Sequence, residues 1–329
     1  MKTKLPAVRL TNKLNLPRPI VEAMTNDPYD AADSDYTATS LLQPARMRRL
    51  QQMFPDDCVE DVSDRMYSLI GQSLHVILER AANALSEEGF VVEKRFSKMV
   101  PVDGDLYKVS AQVDLYDPAT ATLSDYKTTS VSALSYGVKE EHKYQLNLQA
   151  LLVRAAGFPV EKLQIVGIFR DWSATRAEAQ DSYPQEPAVV QDVPLMTDEE
   201  ILTWVTSRVR AHQQAKQATT QAQLPLCTDE ETWTRTDGDV FAVLKPGAAR
   251  ALKLMPTKHE AEAYVKERSD ASLIIEERLG KSVRCNNYCP ASKVCVQWKI
   301  SARNPANKPK RDRDGRGKVS LPYGFDDLE

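Results

Sequence analysis

The sequence predicts a mixed α/β domain followed by a small α+β appendage that contains most of the cysteines. Apolar residues recur at three- and four-residue steps over residues 62–85, which is the period of an amphipathic helix. Directly afterwards the pattern changes to short runs rich in β-branched and aromatic residues, so strands follow the helix. Three of the five cysteines lie within eleven residues near the end of the chain, which marks the appendage as a separate region.

The core elements follow one another in an order typical of α/β proteins. The run Leu163–Arg170 is almost entirely apolar, as expected for a strand buried on both faces. Asp117-Pro118 is a turn signal that ends the strand at 106–116, and Gly157 and Pro159 end the helix at 140–156. The predicted core elements are a helix at 62–85, strands at 90–96, 106–116 and 121–127, a helix at 140–156, a strand at 163–170 and a helix at 197–220.

The chain divides into four predicted regions. Residues 1–37 form an N-terminal arm, 38–223 the α/β core, 224–298 the appendage and 299–329 a tail. In the appendage we expect short strands and one helix, too few elements for a rich core. They are strands at 241–244, 252–255 and 273–276, with a helix at 258–268.

Composition limits the class of protein. With 329 residues, 42% hydrophobic and 27% charged, the chain is long enough for about two domains and too apolar to be disordered throughout. No segment approaches the ~18 apolar residues that cross a bilayer, and the first residues contain no secretory signal. We therefore expect a cytoplasmic protein without a membrane partner. The odd number of cysteines, five, argues against a disulfide framework.

The tail is strongly basic, unlike the chain as a whole. Residues 299–318 contain eight Lys or Arg and two Asp, whereas the whole chain has 43 basic and 46 acidic residues. A basic segment with Pro and Gly cannot bury a core, and we expect it to be flexible. It could bind phosphates by releasing counterions, or it could serve only as a solubilising end.

The residues that predict chemistry begin with Asp125-Tyr126-Lys127 on the third strand. Alternation places Asp125 and Lys127 on one face, and the preceding strand brings Asp114 near them. Two close carboxylates repel unless a cation lies between them, and oxygen ligands suit Mg²⁺ or Mn²⁺. Such an ion would activate water for attack on a phosphoryl group, and Lys127 would orient that water or stabilise the transition state.

Two helices add candidates to this set. His75 and Glu79 are four residues apart and share a helix face, and Gly71 on that face would let another backbone approach closely. On the later helix, Gln145 and Gln149 also share a face. A lone helical histidine is most often structural, and helical glutamines are most often exposed, so neither helix identifies a site by itself.

The ordered set resembles the PD-(D/E)XK nucleases of the RecB/Cas4-like exonuclease branch, above all their phage versions. The resemblance spans about residues 38–172. It rests on four segments: Gly71-Gln72-Ser73-Leu74-His75-Val76-Ile77-Leu78-Glu79, Gln112-Val113-Asp114-Leu115-Tyr116, Ser124-Asp125-Tyr126-Lys127 and Tyr144-Gln145-Leu146. It implies a restriction-endonuclease-like mixed sheet flanked by helices.

The resemblance also implies roles for individual residues. His75, Asp114 and Asp125 would bind the metal, assisted by the Tyr126 carbonyl, and Lys127 would be the catalytic lysine. Gln145 would align Lys127 or the DNA. The implied catalytic set is His75, Glu79, Asp114, Asp125, Lys127 and Gln145. The chain departs from the family at two positions. The acidic residue before Lys127 is Asp125, where Glu is commoner, and Gln149 occupies the position of a usual tyrosine.

The cysteine cluster predicts a second metal centre. Cys285, Cys289 and Cys295 form a C-x₃-C-x₅-C pattern, and soft thiolates at such short intervals are typical of zinc or iron–sulfur binding. A fourth ligand would come from Cys227, which opens the appendage, or from Cys58. The resemblance implies a [4Fe–4S] cluster and favours Cys58, whereas stapling of the appendage favours Cys227, which we prefer. Zinc and three reduced thiols stay open as alternatives.

Together these observations predict a metal-dependent deoxyribonuclease. The resemblance implies an exonuclease that acts on DNA ends or single-stranded DNA in phage recombination, replication or repair, with phage proteins as partners and the bacterial host cytoplasm as its location. One alternative is a DNA-binding or adaptor protein that keeps the fold without cleaving. Another is a Cas4-like nuclease that trims ends within a partner complex.

Overall fold

A computed structural model describes residues 9–25, 33–85, 89–235, 241–248, 250–268, 270, 272–277 and 280–302. The chain forms two compact units. The first comprises Met1–Arg49 and Glu60–Pro225, and the second comprises Leu50–Val59 and Leu226–Glu329. The basic tail predicted from residue 299 lies outside the described residues from position 303 onwards.

The first unit is a mixed α/β structure with helices packed on a mixed sheet, which confirms the predicted fold class. Within the predicted arm the structure describes strand β1 and helix α1. The elements of this unit are β1 (Arg9–Thr11), α1 (Arg18–Thr25), β2 (Tyr36–Thr37), α2 (Ala38–Leu42), α4 (Met66–Asn83, after a 3₁₀ turn Val62–Arg65), β4 (Val91–Val102), β5 (Asp105–Asp117), β6 (Thr122–Thr129), α5 (Glu140–Ala155), β7 (Lys162–Phe169), α6 (Ala174–Ala179), β8 (Ala188–Val193) and α7 (Asp198–Gln217).

Helix α3 (Ala45–Met53) and strand β3 (Val59–Asp61) lie where the chain passes from the first unit into the second and returns. Short 3₁₀ turns at Val131–Tyr136 and Gln221–Gln223 complete the described helical segments of the first unit.

The sheet order is β2-β5-β6-β7-β8, with β4 paired to β5. Strands β4, β5 and β6 form an antiparallel meander, β7 runs parallel to β6, and β8 is antiparallel to β7. Strand β8 was not among the predicted strands. It is an edge strand whose residues alternate between exposed and partly buried, so the sequence has no apolar run that would reveal it.

A two-residue turn at Asp103-Gly104 joins β4 to β5. Both residues have positive φ, 54° and 92°, as a type I′ hairpin requires. The ladder from this turn runs back to Val91 opposite Tyr116, so it covers almost the whole length of both strands. The turn therefore sets which residues of β4 and β5 face each other along the entire hairpin.

One apolar core stabilises this unit. Helix α5 packs against β4, β5, β6 and β7, and its middle turns are fully buried. Phe96 and Tyr116 from the sheet close the core with the partly buried Phe158, in edge-on ring contacts. The buried α5 members are Leu146, Leu148, Ala150, Leu151, Leu152 and Val153.

The second unit contains two small sheets and short helices. Strand β10 is central to the order β11-β10-β12, and β9 pairs with β13. The apolar cluster beside α9 has Val243, Ala261 and Leu273 as its buried members. The elements are α8 (Asp229–Thr232), β9 (Thr234–Arg235), β10 (Phe241–Leu244), β11 (Lys253–Met255), α9 (Lys258–Arg268), β12 (Ile274–Glu277), β13 (Lys281–Ser282), α10 (Val283–Asn287) and α11 (Val296–Ser301).

Within the described parts of the chain, no helix combines the length and the hydropathy that a membrane crossing needs.

Candidate metal centres

The acidic site of the first unit is built on β5 and β6. Asp114 and Asp125 are both buried, 8% and 1% exposed. Leu115 pairs with Ser124 in the antiparallel ladder, so the two aspartates follow at opposing positions of the same register. The Tyr126 N–H donates to Asp114 Oδ2 at 2.8 Å, which fixes one carboxylate oxygen of Asp114 at the start of the Asp125–Lys127 segment.

Lys127 lies on the same face as Asp125. Its Nζ is 2.5 Å from Asp125 Oδ2, and its side chain is 25% exposed. Burial alone would lower the pKa of Lys127, but the Asp125 and Asp114 carboxylates raise it above its ordinary value. The lysine therefore stays a cation beside two carboxylates, where it can hold a water or stabilise negative charge on a phosphate.

Burial and the neighbouring Asp125 carboxylate raise the pKa of Asp114 to about 7. Two carboxylates in a nearly dry space are costly when both are ionised, and a bound cation would relieve that cost. The donor set, carboxylate oxygens with one imidazole, fits Mg²⁺ or Mn²⁺. Asp114 and Asp125 are the residues that would hold such an ion.

Gln145 reaches this centre from α5. Its Nε2 donates to Asp125 Oδ1 at 3.1 Å, so the aspartate is held by Lys127 on one oxygen and by Gln145 on the other. Gln149, one turn later, is 1% exposed and donates to the Gln112 carbonyl at 2.8 Å. The expectation that helical glutamines here are exposed is therefore wrong for Gln149, which closes the helix against β5.

His75 approaches the aspartates from α4. Its Nδ1 lies 3.7 Å from Asp114 Oδ2 and 3.1 Å from Glu93 Oε1. The hydrogen bond to Glu93 is the main reason that the pKa of His75 is raised. Its ring meets the Tyr126 ring edge-on, with centroids 6.3 Å apart. The role predicted for the Tyr126 carbonyl stays a prediction.

One expectation about α4 differs from the structure, and one stays a prediction. The group of donor atoms that the described residues bring together is His75, Glu93 and Asp114, and the catalytic role expected for Glu79 stays a prediction. Gly71 faces a side chain rather than a backbone, because a Cβ built on it would have Thr128 Oγ1 as its nearest neighbour, at 3.7 Å.

Glu93 is the site residue that the sequence analysis missed. The signal was present in the Asp103-Gly104 turn, because counting back along the two strands from that turn sets Glu93 opposite Asp114. The strand predicted at 90–96 stops short of this turn, so the prediction did not pair Glu93 with Asp114.

The second unit contains the cysteine cluster. The pKa of Cys227 lies well above its ordinary value. Burial is the largest cause, followed by the Glu231 carboxylate and then by the thiols of Cys295, Cys285 and Cys289. Burial likewise raises the pKa of Cys285 to about 11 and that of Cys289 to about 12. Four thiols thus lie near enough to oppose one another's ionisation, and a bound metal would reverse this by stabilising thiolates.

Cys58 is also buried and belongs to the same compact unit as the other four cysteines. Its Sγ lies 4.0 Å from the Leu50 carbonyl oxygen, in the segment that the second unit takes from early in the chain. The electrostatic neighbours of Cys227 are the three late cysteines. These contacts support Cys227 as the fourth candidate ligand. No disulfide joins any of the five cysteines.

Polar and aromatic contacts position the cysteines. Gln297 pairs its side-chain amide with the backbone of Cys227, accepting from its N–H and donating to its carbonyl, both at 2.9 Å. Arg284 lies over the Trp233 ring at 4.1 Å, and Tyr288 meets the same ring edge-on. Gln297, near the end of the described second unit, therefore binds the backbone of the cysteine that opens it, and the stapling role stays a prediction.

Comparisons with solved structures yield seven similar chains, of which two are described here. The crystal structure of SSO0001 is similar over 56% of this chain and 79% of that one, at 16% identity and a TM-score of 0.40. A phage related exonuclease from Haemophilus somnus 129PT is similar over 52% of this chain and 78% of that one, at 14% identity and a TM-score of 0.32. No family model and no curated protein matches the sequence.

Proposed function

We propose that the chain is a metal-dependent deoxyribonuclease of the PD-(D/E)XK type. The observation that carries this proposal is the ion pair between Lys127 and Asp125, 2.5 Å apart, beside the buried Asp114 on the neighbouring strand. Two buried carboxylates need a cation, and a lysine on the same face suits a reaction in which negative charge builds up on phosphate. A purely structural ion pair would not require the second carboxylate.

The residues divide the work of phosphodiester hydrolysis. Asp114 and Asp125 would hold Mg²⁺ or Mn²⁺, which when bound lowers the pKa of a water and neutralises charge on the phosphate. Lys127 would orient the attacking water and stabilise the charge that develops on the phosphate oxygens. Gln145 fixes Asp125, so that its other oxygen stays with Lys127.

The substrate proposed is DNA with free ends or single-stranded DNA, cleaved as by an exonuclease. This part of the proposal follows the family resemblance, which also suggests a place in phage recombination, replication or repair. The spacing of the motifs on α4, β5, β6 and α5 supports nuclease activity. The requirement for free DNA ends is tested by comparing labelled linear DNA with closed circular DNA.

The proposal for the second unit is a [4Fe–4S] cluster held by Cys227, Cys285, Cys289 and Cys295. In such a cluster each thiolate binds a different iron. The proposal is supported by the thiols of Cys285, Cys289 and Cys295, which contribute to the raised pKa of Cys227. Zinc bound by the same four cysteines is the alternative. The proposed role of the bound metal is structural.

End-labelled single- and double-stranded DNA tests the proposal, incubated with Mg²⁺, Mn²⁺ or EDTA and with protein purified without oxygen. We expect metal-dependent release of label by the natural chain and none in EDTA. Closed circular DNA should stay intact if free ends are needed. DNA binding without cleavage in any metal would overturn the nuclease in favour of a binding protein. Metal analysis of the same preparation distinguishes iron with sulfide from zinc.

A further inference from the structure

The two faces of the sheet in the first unit carry different residues. On the face that α5 covers, Leu123, Leu163 and Ile165 are apolar and at most 3% exposed. On the opposite face of the same strands, β6 and β7 present Ser124 beside Gln164 in the parallel ladder. Ser124 is 4% exposed, so it is neither a solvated surface residue nor part of an apolar core. A buried polar pair on a sheet face needs hydrogen-bond partners.

A cavity of about 560 Å³ opens over this polar part of the sheet. Its volume lies within the roughly 300–1,000 Å³ that small-molecule sites occupy. Leu115 on β5 contributes apolar surface, and Phe90, directly before β4, contributes an aromatic ring. The lining residues that matter here are Phe90, Leu115, Asp117, Thr122, Ser124 and Gln164.

Ser124 and Gln164 have hydrogen-bonding capacity left over in this cavity. Gln164 Nε2 donates to Ser124 Oγ at 2.9 Å, which fixes the two side chains relative to each other. Within the parts of the chain that the structure describes, the Ser124 hydroxyl proton has no acceptor and Gln164 Oε1 has no donor. A buried donor without an acceptor is costly, so a ligand that supplies one is stabilised there. The pair offers such a ligand a donor and an acceptor side by side.

The charged groups at the rim of the cavity do not suit a phosphate. Asp117 and Glu161 place two carboxylates there. Lys162, also at the rim, is paired with Asp192 at 3.0 Å. Because like charges repel, the two carboxylates disfavour an anion inside the cavity. A neutral ligand with a flat ring and a polar edge fits the lining better.

The cavity begins one residue from the aspartates that are proposed to bind metal. Ser124 precedes Asp125 and Leu115 follows Asp114, and consecutive Cα atoms lie ~3.8 Å apart. Strand alternation turns the aspartates and the two cavity residues to opposite faces. Tyr126 links the faces, because its N–H donates to Asp114 while its side chain shares the face of Ser124. The cavity therefore lies next to the metal centre, on the other side of the same strands.

We propose that this cavity is a nucleobase pocket, in which Gln164 and Ser124 hydrogen-bond the edge of a base and Phe90 contacts its face. The base belongs to the DNA strand whose phosphate lies at the metal centre, so the inference rests on the proposed nuclease function. Side-chain amides pair with base edges, and aromatic rings stack on unpaired bases. A base still stacked in a duplex cannot enter such a pocket. The pocket therefore selects an unpaired nucleotide, as in single-stranded or frayed DNA.

Binding of deoxynucleosides in EDTA tests the pocket apart from the metal centre. The probes are thymidine, deoxycytidine, deoxyadenosine and deoxyguanosine, with 2-deoxyribose as the probe that lacks a base. We expect calorimetry to show saturable binding of at least one nucleoside and none of deoxyribose. Phe90→Ala should weaken that binding about fivefold to a hundredfold, and Gln164→Leu about tenfold. Gln191→Leu is the matched control and should bind as the natural chain does, because Gln191 pairs with Ile165 and so lies on the other face of the sheet.

DNA with abasic nucleotides tests whether the pocket serves cleavage. We expect the natural chain to cut single strands that are abasic near their ends with a KM about tenfold higher than that for normal strands. Gln164→Leu should cut the two kinds of strand with similar KM and should keep the kcat of the natural chain. A pocket residue that acted only on the fold would lower kcat on both substrates instead.

The outcomes separate this inference from the proposed function. Cleavage by a natural chain that binds no nucleoside and treats abasic and normal strands alike would overturn the pocket and leave the nuclease standing. Nucleoside binding that depends on Gln164, without cleavage in any metal, would do the reverse. Equal binding of deoxyribose and nucleosides would reject a base as the ligand. If Phe90→Ala does not fold, Gln164→Leu and its control Gln191→Leu still decide the question.

Discussion

The two candidate metal centres are built on different amounts of core. In the first unit the donors lie on β4, β5, β6 and α4, around a sheet whose apolar face is covered by α5 and α7. In the second unit Cys285 lies within the five-residue helix α10 and Cys295 directly precedes α11, and the described cluster beside α9 has three buried members. We therefore expect the first unit to fold before it binds metal, and the second unit to depend for folding on the metal proposed for its cysteines.

The largest expected effect separates chemistry from stability in the first unit. Replacing Lys127 by Gln keeps a polar side chain but removes the charge beside Asp125. We expect DNA cleavage to fall about a hundredfold to a thousandfold, with the fold retained by circular dichroism. Lys162→Gln is the control, since its ion pair with Asp192 is exposed and should contribute little. Equal loss in both variants would remove Lys127 from the proposed chemistry.

Loss of the cysteine-bound metal should affect the second unit alone. Cys227→Ala, or chelation of the natural protein, should make residues after Leu226 sensitive to protease while the first unit stays resistant. Cys58→Ala should keep the bound metal, because Cys227 and not Cys58 is the proposed fourth ligand. The comparison of the two units fails if the metal-free second unit is as resistant as the first.

A smaller effect tests the core of the first unit. Leu148 is completely buried on α5, so Leu148→Ala should cost about 2–5 kcal/mol of unfolding free energy. The measurement is denaturant unfolding followed by a first-unit probe such as Trp204, which stacks on Tyr144. The unfolding free energy of the second unit should not change. A cost well below 1 kcal/mol would show that the packing of α5 contributes little to the stability of the core.

The pH dependence of the metal-free protein gives the smallest effect. Between the ordinary pKa of an aspartate near 4 and the pKa of about 7 at Asp114, the folded state holds a proton that the unfolded state has released. This contribution to stability is complete below pH 4 and is lost as the pH rises through 7. Replacing Asp114 by Asn should remove that loss.

Melting temperatures at several pH values measure this change. His142 acts with the opposite sign, because burial lowers its pKa to about 3, so the informative quantity is the difference between Asp114→Asn and the natural chain. We expect that difference to grow by a few degrees from pH 4 to pH 7. A constant difference would mean that Asp114 stays ionised across the range.

Much of the first unit could be predicted because local patterns and tertiary structure agree there. The helix expected at 140–156 is Glu140–Ala155, and the strand expected at 163–170 is Lys162–Phe169. Both are buried elements with clear stop signals. Strand β8 lacks such a signal, since its edge position lets polar and apolar residues alternate weakly.

The site was predictable only where its residues lie close in sequence. Asp125 and Lys127 share a face by simple alternation, and the structure brings them within 2.5 Å. The contact of His75 with Glu93 depends on how α4 packs on the sheet, and periodicity carries no information on that packing. Glu79 shares the helix face of His75, but the acid that reaches the histidine comes from a strand.

The Asp103-Gly104 turn has a consequence far from where it lies. It is exposed at the tip of the hairpin, yet it decides that Glu93 rather than a neighbour stands opposite Asp114. A homologous chain with one residue more or fewer in this turn would present the alternate side chains of β4 to β5, without any substitution at Glu93 or Asp114. The length of an exposed turn therefore determines which side chain of β4 lies beside the buried aspartate.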